Sequence, residues 1–214
     1  MSNLFIYGCS NSVSYDDESS YWAKDYIKWK GYTPKVYGDL ISDELKLNQV
    51  NYSKSGTNNY SIFQKICETF KDVNKDDVVI IQWTQISRFR LVNKFNEWED
   101  FYADISHYTE KVKKCNDICK HTISEILVNR NNDKHLEEVR SWEELLKSVF
   151  KNNKLLFWSP FDNVSGHGKI LKSLETITME TNGKVLDPHF SENGHKNLSD
   201  FLLNKIDDNR IDII

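Results

Sequence analysis

Apolar residues along this chain gather in short runs set far apart, with charged and turn residues between them. Leu4 to Tyr7 leads into Gly8, and Gln49 to Tyr52 leads toward Ser55-Gly56. Val78 to Ile81 leads into Gln82-Trp83-Thr84, and Leu155 to Trp158 leads into Ser159-Pro160. Runs of that length, bounded by charge or turn residues, suit strands buried on both faces. Lys184 to Leu186, just before Asp187-Pro188, is a weaker fifth candidate. Helical spacing fills the intervals. Ser20 to Lys30 carries Tyr21, Trp22, Ile27 and Trp29, and Asn59 to Phe70 sets Ile62, Phe63, Ile66 and Phe70 on one stripe. Phe101 to Val128, Trp142 to Phe150 and Glu192 to Ile206 read the same way. Strands alternating with helices predict an α/β fold, a three-layer αβα sandwich around a central parallel sheet of about five strands. The stretch from Arg88 to Arg140 is long for one crossover, so a helical insertion or lid is expected at about 88–150 within a single domain spanning 1–214.

Composition narrows the partners. A chain of 214 residues buries roughly 70% of its unfolded surface, enough for a core without a metal or disulfide staple. Lys and Arg number 28 against 32 Asp and Glu, a net charge of −4. That leaves no basic excess to track a phosphate backbone, so no nucleic-acid partner is expected. No apolar run approaches the ~18 residues of a membrane span, and Met1-Ser2-Asn3 enters Leu4-Phe5-Ile6-Tyr7 without the leader of a signal peptide. The expectation is a soluble, cytoplasmic protein without a membrane partner; no feature of the sequence sets an oligomeric state. The cysteines, Cys9, Cys67, Cys115 and Cys119, form no C-x-x-C pair and share no zinc spacing with histidine. Reduced thiols and no metal are expected.

In doubly wound sheets the working residues gather beyond the carboxyl ends of the strands. Here those places are Gly8 to Ser12, Ser53 to Asn59, Trp83 to Arg88 and Asp187 to His195. A serine in a strand-to-helix turn, as in Gly8-Cys9-Ser10, can present its hydroxyl at the edge of the sheet; it can equally cap the next helix. A nucleophilic serine needs a base, and the base needs an acceptor on its other ring nitrogen. Asp187-Pro188-His189 offers both on one short loop, or else forms a proline turn with a surface histidine. His195, in the first turn of the last helix, reads as structural, and Trp83, Trp142 and Trp158 as core. Gly166-His167-Gly168 is too short and isolated for a phosphate loop, which argues against a flavodoxin-like nucleotide binder.

The order of four segments is the more specific signal. Gly8-Cys9-Ser10 follows the first strand, Asn51-Tyr52-Ser53-Lys54-Ser55-Gly56-Thr57 the second, Gln82-Trp83-Thr84-Gln85 the third, and Asp187-Pro188-His189 precedes the last helix. This arrangement resembles the SGNH (GDSL-like) hydrolase superfamily, from the first strand to the last helix, with about Arg88 to Val149 unmatched. The resemblance implies a serine esterase or acyl hydrolase that needs no cofactor. Ser10 would be the nucleophile, His189 its base and Asp187 the residue that orients His189. The oxyanion would rest on the backbone N–H groups of Ser10 and Gly56 and on the side chain of Gln85 or Thr84. Asn58 and Arg88 are candidate substrate contacts, against readings as a helix cap and a structural ion pair. The implied substrate is a small-molecule or carbohydrate acyl ester, with a carbohydrate O-acetyl group preferred.

Two departures from the family pattern stand. The third block normally carries Gly-any-Asn-Asp, and here it has no asparagine; Asp187 lies two residues before His189 rather than three. They motivate the alternative of a binding or structural protein that keeps the fold with a disabled site. An acyltransferase using the same serine differs only in the acceptor.

Overall fold

The computed structural model describes residues 2–86, 88–92, 95, 98–101, 132–161, 174–207 and 212–213. Strands β1 (Asn3–Tyr7), β2 (Asn48–Asn51), β3 (Val78–Gln82), β6 (Lys154–Trp158) and β7 (Asp212–Ile213) form one sheet in the order β2-β1-β3-β6-β7. Every pairing in it is parallel: Leu4 lies opposite both Gln49 and Val78, Val78 opposite Lys154, and Leu156 opposite Asp212. The chain runs from β1 outward to β2 and then returns to β3 on the other side of β1. That reversal makes the carboxyl ends of β1 and β3 the switch point, where loops diverge and leave a crevice.

Successive side chains of a strand point to opposite faces, and the apolar runs use both. Leu4, Ile6, Val78, Ile80, Leu156 and Trp158 pack on one face with Tyr37 and Ile41 of α2 (Tyr37–Leu45) and Leu198, Leu202 and Ile206 of α6 (Glu192–Asp207). Phe5, Tyr7, Val79, Ile81, Leu155 and Phe157 pack on the other with Ile62 and Ile66 of α3 (Asn59–Thr69) and Val139 and Leu146 of α4 (Asn132–Val149). Helices on both faces of a parallel sheet are the expected three-layer αβα sandwich. Two further helices, α1 (Lys24–Lys30) and the single turn α5 (Ile177–Glu180), flank the carboxyl-end loops. No helix among the described residues is long and apolar enough to cross a membrane.

Several expectations need correction. The fifth strand is Asp212–Ile213, whereas Lys184 to Leu186 is irregular, because Thr181 Oγ1 and the Thr178–Asp187 contacts turn that segment back on α5. β2 sits at the sheet edge and is half-exposed, so it is not buried on both faces. Helix α2 was not foreseen; it begins where the Asp39 carboxylate accepts the Val36 N–H at 3.0 Å. Gly38 lets it lie close to the sheet, since a Cβ there would collide with Ile6 Cδ1. Within 88–150, the described residues form an antiparallel hairpin, β4 (Phe89–Val92) with β5 (Trp98–Phe101), followed by α4. The helix expected over Phe101 to Val128, apart from Phe101 in β5, lies outside the described residues, as do Cys115, Cys119 and Gly166-His167-Gly168. Cys9 is a buried free thiol and Cys67 an exposed one.

One core contact is ionisable. Glu143 of α4 is 2% exposed and accepts the indole N–H of Trp83 at 2.7 Å. Burial pushes its carboxyl up to about 7, from an ordinary 4.5. The folded state therefore holds this proton more tightly than the unfolded chain. The stability it contributes is complete below about pH 4.5 and is lost as pH rises through about 7, a swing of about 3 kcal/mol. Urea unfolding at pH 5 and pH 8 tests this. The wild type should lose about 2–3 kcal/mol more over that interval than Glu143→Gln, which keeps an acceptor but cannot ionise. Equal pH dependence in both proteins would contradict it.

Candidate active site

The serine turn opens where β1 ends. Gly8 and Cys9 lead into a single 3-10 turn, Ser10–Ser12, and a Cβ on Gly8 would meet Ser12 Oγ at 2.7 Å and Gln82 Cβ at 2.8 Å. Only glycine fits between β1 and the end of β3. The Gln82 carboxamide holds the turn from beneath, its Oε1 accepting the Cys9 N–H at 3.1 Å and the Ser12 hydroxyl at 2.5 Å. Ser12 Oγ also meets the Tyr37 hydroxyl at 2.7 Å. Ser10 is 7% exposed at this edge.

The second loop is fastened over the same turn. Asn51 donates its side-chain N–H to the Ser12 carbonyl at 2.7 Å and accepts the Ser53 N–H at 2.9 Å. Lys54 N–H reaches the Gly8 carbonyl at 3.1 Å. Gly56 adopts φ +80°, a left-handed conformation that glycine takes without strain. Among the described residues, the backbone N–H groups of Ser10 and Gly56 donate to no acceptor. Asn58 caps α3, accepting the Ser61 N–H at 2.9 Å. Asn59 is paired in both directions with the Thr84 backbone, at 2.7 and 3.0 Å.

Of the two side chains considered for the third block, Gln85 is exposed and Thr84 is buried. The Thr84 hydroxyl meets no partner among the described residues. Arg88 folds back from this loop, donating to the Thr57 carbonyl at 2.9 Å and lying against Cys9 Sγ. It forms one wall of a cavity of about 320 Å³ that Asn58, Tyr60, Arg90, His135 and Glu138 also line.

The fourth segment carries the clearest chemical geometry. Asp187 Oδ1 accepts the His189 backbone N–H at 2.9 Å and lies 2.5 Å from His189 Nδ1. The two-residue spacing thus reaches the imidazole, because one carboxylate oxygen serves both groups of the same residue. An ionised carboxylate can only accept, so beside one Nδ1 is the nitrogen that donates, and in a neutral ring the lone pair is then left on Nε2. The loop is pinned by Thr178, whose hydroxyl donates to the Asp187 carbonyl at 2.7 Å, and by Ile177 N–H on the His189 carbonyl at 2.9 Å. Asn11, next to Ser10, accepts the N–H of Phe190, next to His189, at 3.2 Å. That bond brings the serine and histidine segments together. Trp22 stacks flat on the His189 ring, with centroids 3.8 Å apart and planes 10° from parallel.

His195 is a different kind of histidine. It is 1% exposed, its Nδ1 accepts the Tyr37 N–H at 3.3 Å, and Tyr15, Tyr37 and Phe190 surround its ring. Burial, with His189 nearby, pushes its imidazole down to about 3, so it is uncharged at neutral pH. Among the described residues no cluster of three or more His, Cys, Asp or Glu side chains has the arrangement of a metal site. Sequence reasoning did not single out Gln82, Asn11 or Trp22. A polar residue closing an all-apolar strand was the available signal for Gln82; Trp22 gave none, since aromatics in amphipathic helices are core by default.

No protein-family model matches the chain, and no curated protein matches it. Among solved structures, the chain is similar to a protein from Desulfitobacterium hafniense DCB-2 assigned to the G-D-S-L lipolytic family. They share 9% identity and a TM-score of 0.46, over 96% of this chain and 99% of that one. It is also similar to a carbohydrate esterase described as having divergent catalytic and non-catalytic binding functions in its active site. That likeness has 14% identity and a TM-score of 0.45, over 96% of this chain and 68% of the other.

The Gln82 bridge is testable apart from any activity. Gln82→Leu leaves the buried Cys9 N–H without its acceptor, at a cost of about 2 kcal/mol. The urea midpoint should fall accordingly; an unchanged midpoint would show that the carboxamide does not hold the turn.

Proposed function

We propose that the chain is a serine esterase of the SGNH type. The observation that carries the reading is the Asp187–His189 contact at 2.5 Å, on a loop joined to the Ser10 turn through Asn11 and Phe190. Asp187 holds Nδ1–H, which leaves Nε2 as the base for a serine hydroxyl. In the proposed reaction Ser10 Oγ attacks the ester carbonyl while His189 Nε2 takes the hydroxyl proton. The tetrahedral oxyanion is held by the Ser10 and Gly56 N–H groups, with the Thr84 hydroxyl favoured over the exposed Gln85 side chain as the third donor. Collapse breaks the C–O bond to the alcohol, which leaves with the proton from His189. Water then attacks the acyl-serine with His189 again as base, releasing the carboxylic acid and restoring Ser10.

The substrate in this reading is a small-molecule or carbohydrate acyl ester, an O-acetyl sugar by preference, with its alcohol portion near Asn58 and Arg88 at the adjoining cavity. Asn58, Arg88, His135 and Glu138, with Arg90 in a cation–π contact over Tyr60 at 4.2 Å, offer polar groups around that cavity to a hydroxylated alcohol portion. The test is hydrolysis of p-nitrophenyl acetate by the wild type beside Ser10→Ala and His189→Ala, with folding checked by circular dichroism. Each variant should lose turnover by about 10³-fold or more. An inert wild type, or a Ser10→Ala protein with full turnover, would contradict the proposal and point to a binding protein on this fold.

A further inference from the structure

The Trp22 stack stands outside every motif the chain carries, and it lies on the ring that the proposed chemistry turns on. Three features make it more than packing. Its geometry is face to face, at 3.8 Å and 10°, so it covers one face of the imidazole and leaves the in-plane directions of both ring nitrogens open. Asp187 takes one of those directions, at Nδ1. With one edge and one face held, rotation of the ring about its Cβ–Cγ bond is blocked and Nε2 keeps one direction.

Trp22 is itself held. It sits on the 3-10 turn Tyr21–Ala23, anchored by the fully buried Ala23 and by the Ala23 N–H on the Ser20 carbonyl at 2.8 Å. Tyr15 meets its ring edge-on at 5.7 Å and 70°. The Tyr15 hydroxyl donates to the Phe190 carbonyl at 2.6 Å, one residue from His189. Tyr15, Trp22 and the His189 loop therefore form one closed arrangement, in which the platform and the ring it supports share an anchor. The electron-rich face of an indole also favours a positively charged ring stacked on it, as the imidazole becomes when it takes the serine proton.

We infer that Trp22 is a positioning residue for His189, a platform that fixes the imidazole plane so that Nε2 faces the serine turn. The inference rests on the reading of His189 as the base, and two readouts separate them. The first is steady-state hydrolysis of p-nitrophenyl acetate by the wild type, Trp22→Phe and Trp22→Met. In Trp22→Met kcat should fall about 10-fold or more with KM within about twofold, because a misdirected base slows the chemical step and not binding. Trp22→Phe, which keeps a flat aromatic face, should recover most of the loss. The second readout needs no turnover: the strongly deshielded proton NMR signal of His189 Nδ1–H, assigned by its absence in His189→Ala. It should be present in the wild type and in Trp22→Phe, and broadened or lost in Trp22→Met as the ring swings free of Asp187.

Wild-type kcat and an intact signal in Trp22→Met would overturn the inference. So would equal losses in both variants that follow a fall in melting temperature, which is what a packing role alone predicts. Should Trp22→Met fail to fold, Trp22→Leu decides in its place: a fall in kcat at unchanged KM with a broadened Nδ1–H signal supports the platform, and wild-type kcat with an unchanged Nδ1–H signal overturns it. A wild type inert toward esters whose Nδ1–H signal still depends on Trp22 would remove the esterase reading and leave the positioning contact standing.

Discussion

Burying a sheet on both faces confines polar chemistry to its edges. Three of the five strands, β1, β3 and β6, give nearly every side chain to one apolar layer or the other, so any group that must stay polar is displaced to the loops beyond the carboxyl ends. There it meets a second constraint, that buried N–H and C=O groups outside regular structure still need partners. The loops that diverge at the switch point cannot pair with one another as strands do. Side-chain carboxamides supply the missing partners: Gln82 for the Cys9 N–H, Asn51 for the Ser12 carbonyl, Asn59 for the backbone N–H and C=O of Thr84, and Asn11 for the Phe190 N–H. A carboxamide carries donor and acceptor on one rigid plane, which lets a single side chain close a gap between two backbones. The candidate site is the region these cross-links enclose.

The Asp187–His189 pair illustrates how such a loop can work with unusual spacing. An aspartate two residues before its partner naturally turns its carboxylate back onto the partner's own N–H. Here the same oxygen extends that local turn to Nδ1, so a backbone motif and a side-chain orientation are secured together. His195, six positions later, shows the opposite fate for the same residue type. Enclosed by aromatic rings, it is held neutral and contributes shape.

Much of the architecture was legible because two-sided burial writes itself as uninterrupted apolar runs, which became β1, β3 and β6 within a residue or two of their expected bounds, while Gln49 to Tyr52 became the half-exposed edge strand β2. The fifth strand was misplaced because Lys184 to Leu186 and Asp212–Ile213 are both too short for periodicity to separate. Helix α2 was missed since it is only nine residues long and carries Gly38 in its first turn. At the site, the glycine-serine turn and the Asp-His loop were visible as local chemistry. The carboxamide cross-links were not: an asparagine that bridges two loops looks, in one dimension, like any other in an asparagine-rich chain. Trp22 was hidden for a related reason, as a stack on His189, 167 positions away, leaves no trace in local spacing.

The central claim is that Ser10 is a nucleophile activated by His189, and direct chemical capture tests it without knowledge of the substrate. Treating the folded protein with a fluorophosphonate and mapping the adduct by peptide mass spectrometry should find a single modification, on Ser10, that His189→Ala slows markedly. No adduct, or one on a different residue, would contradict the account.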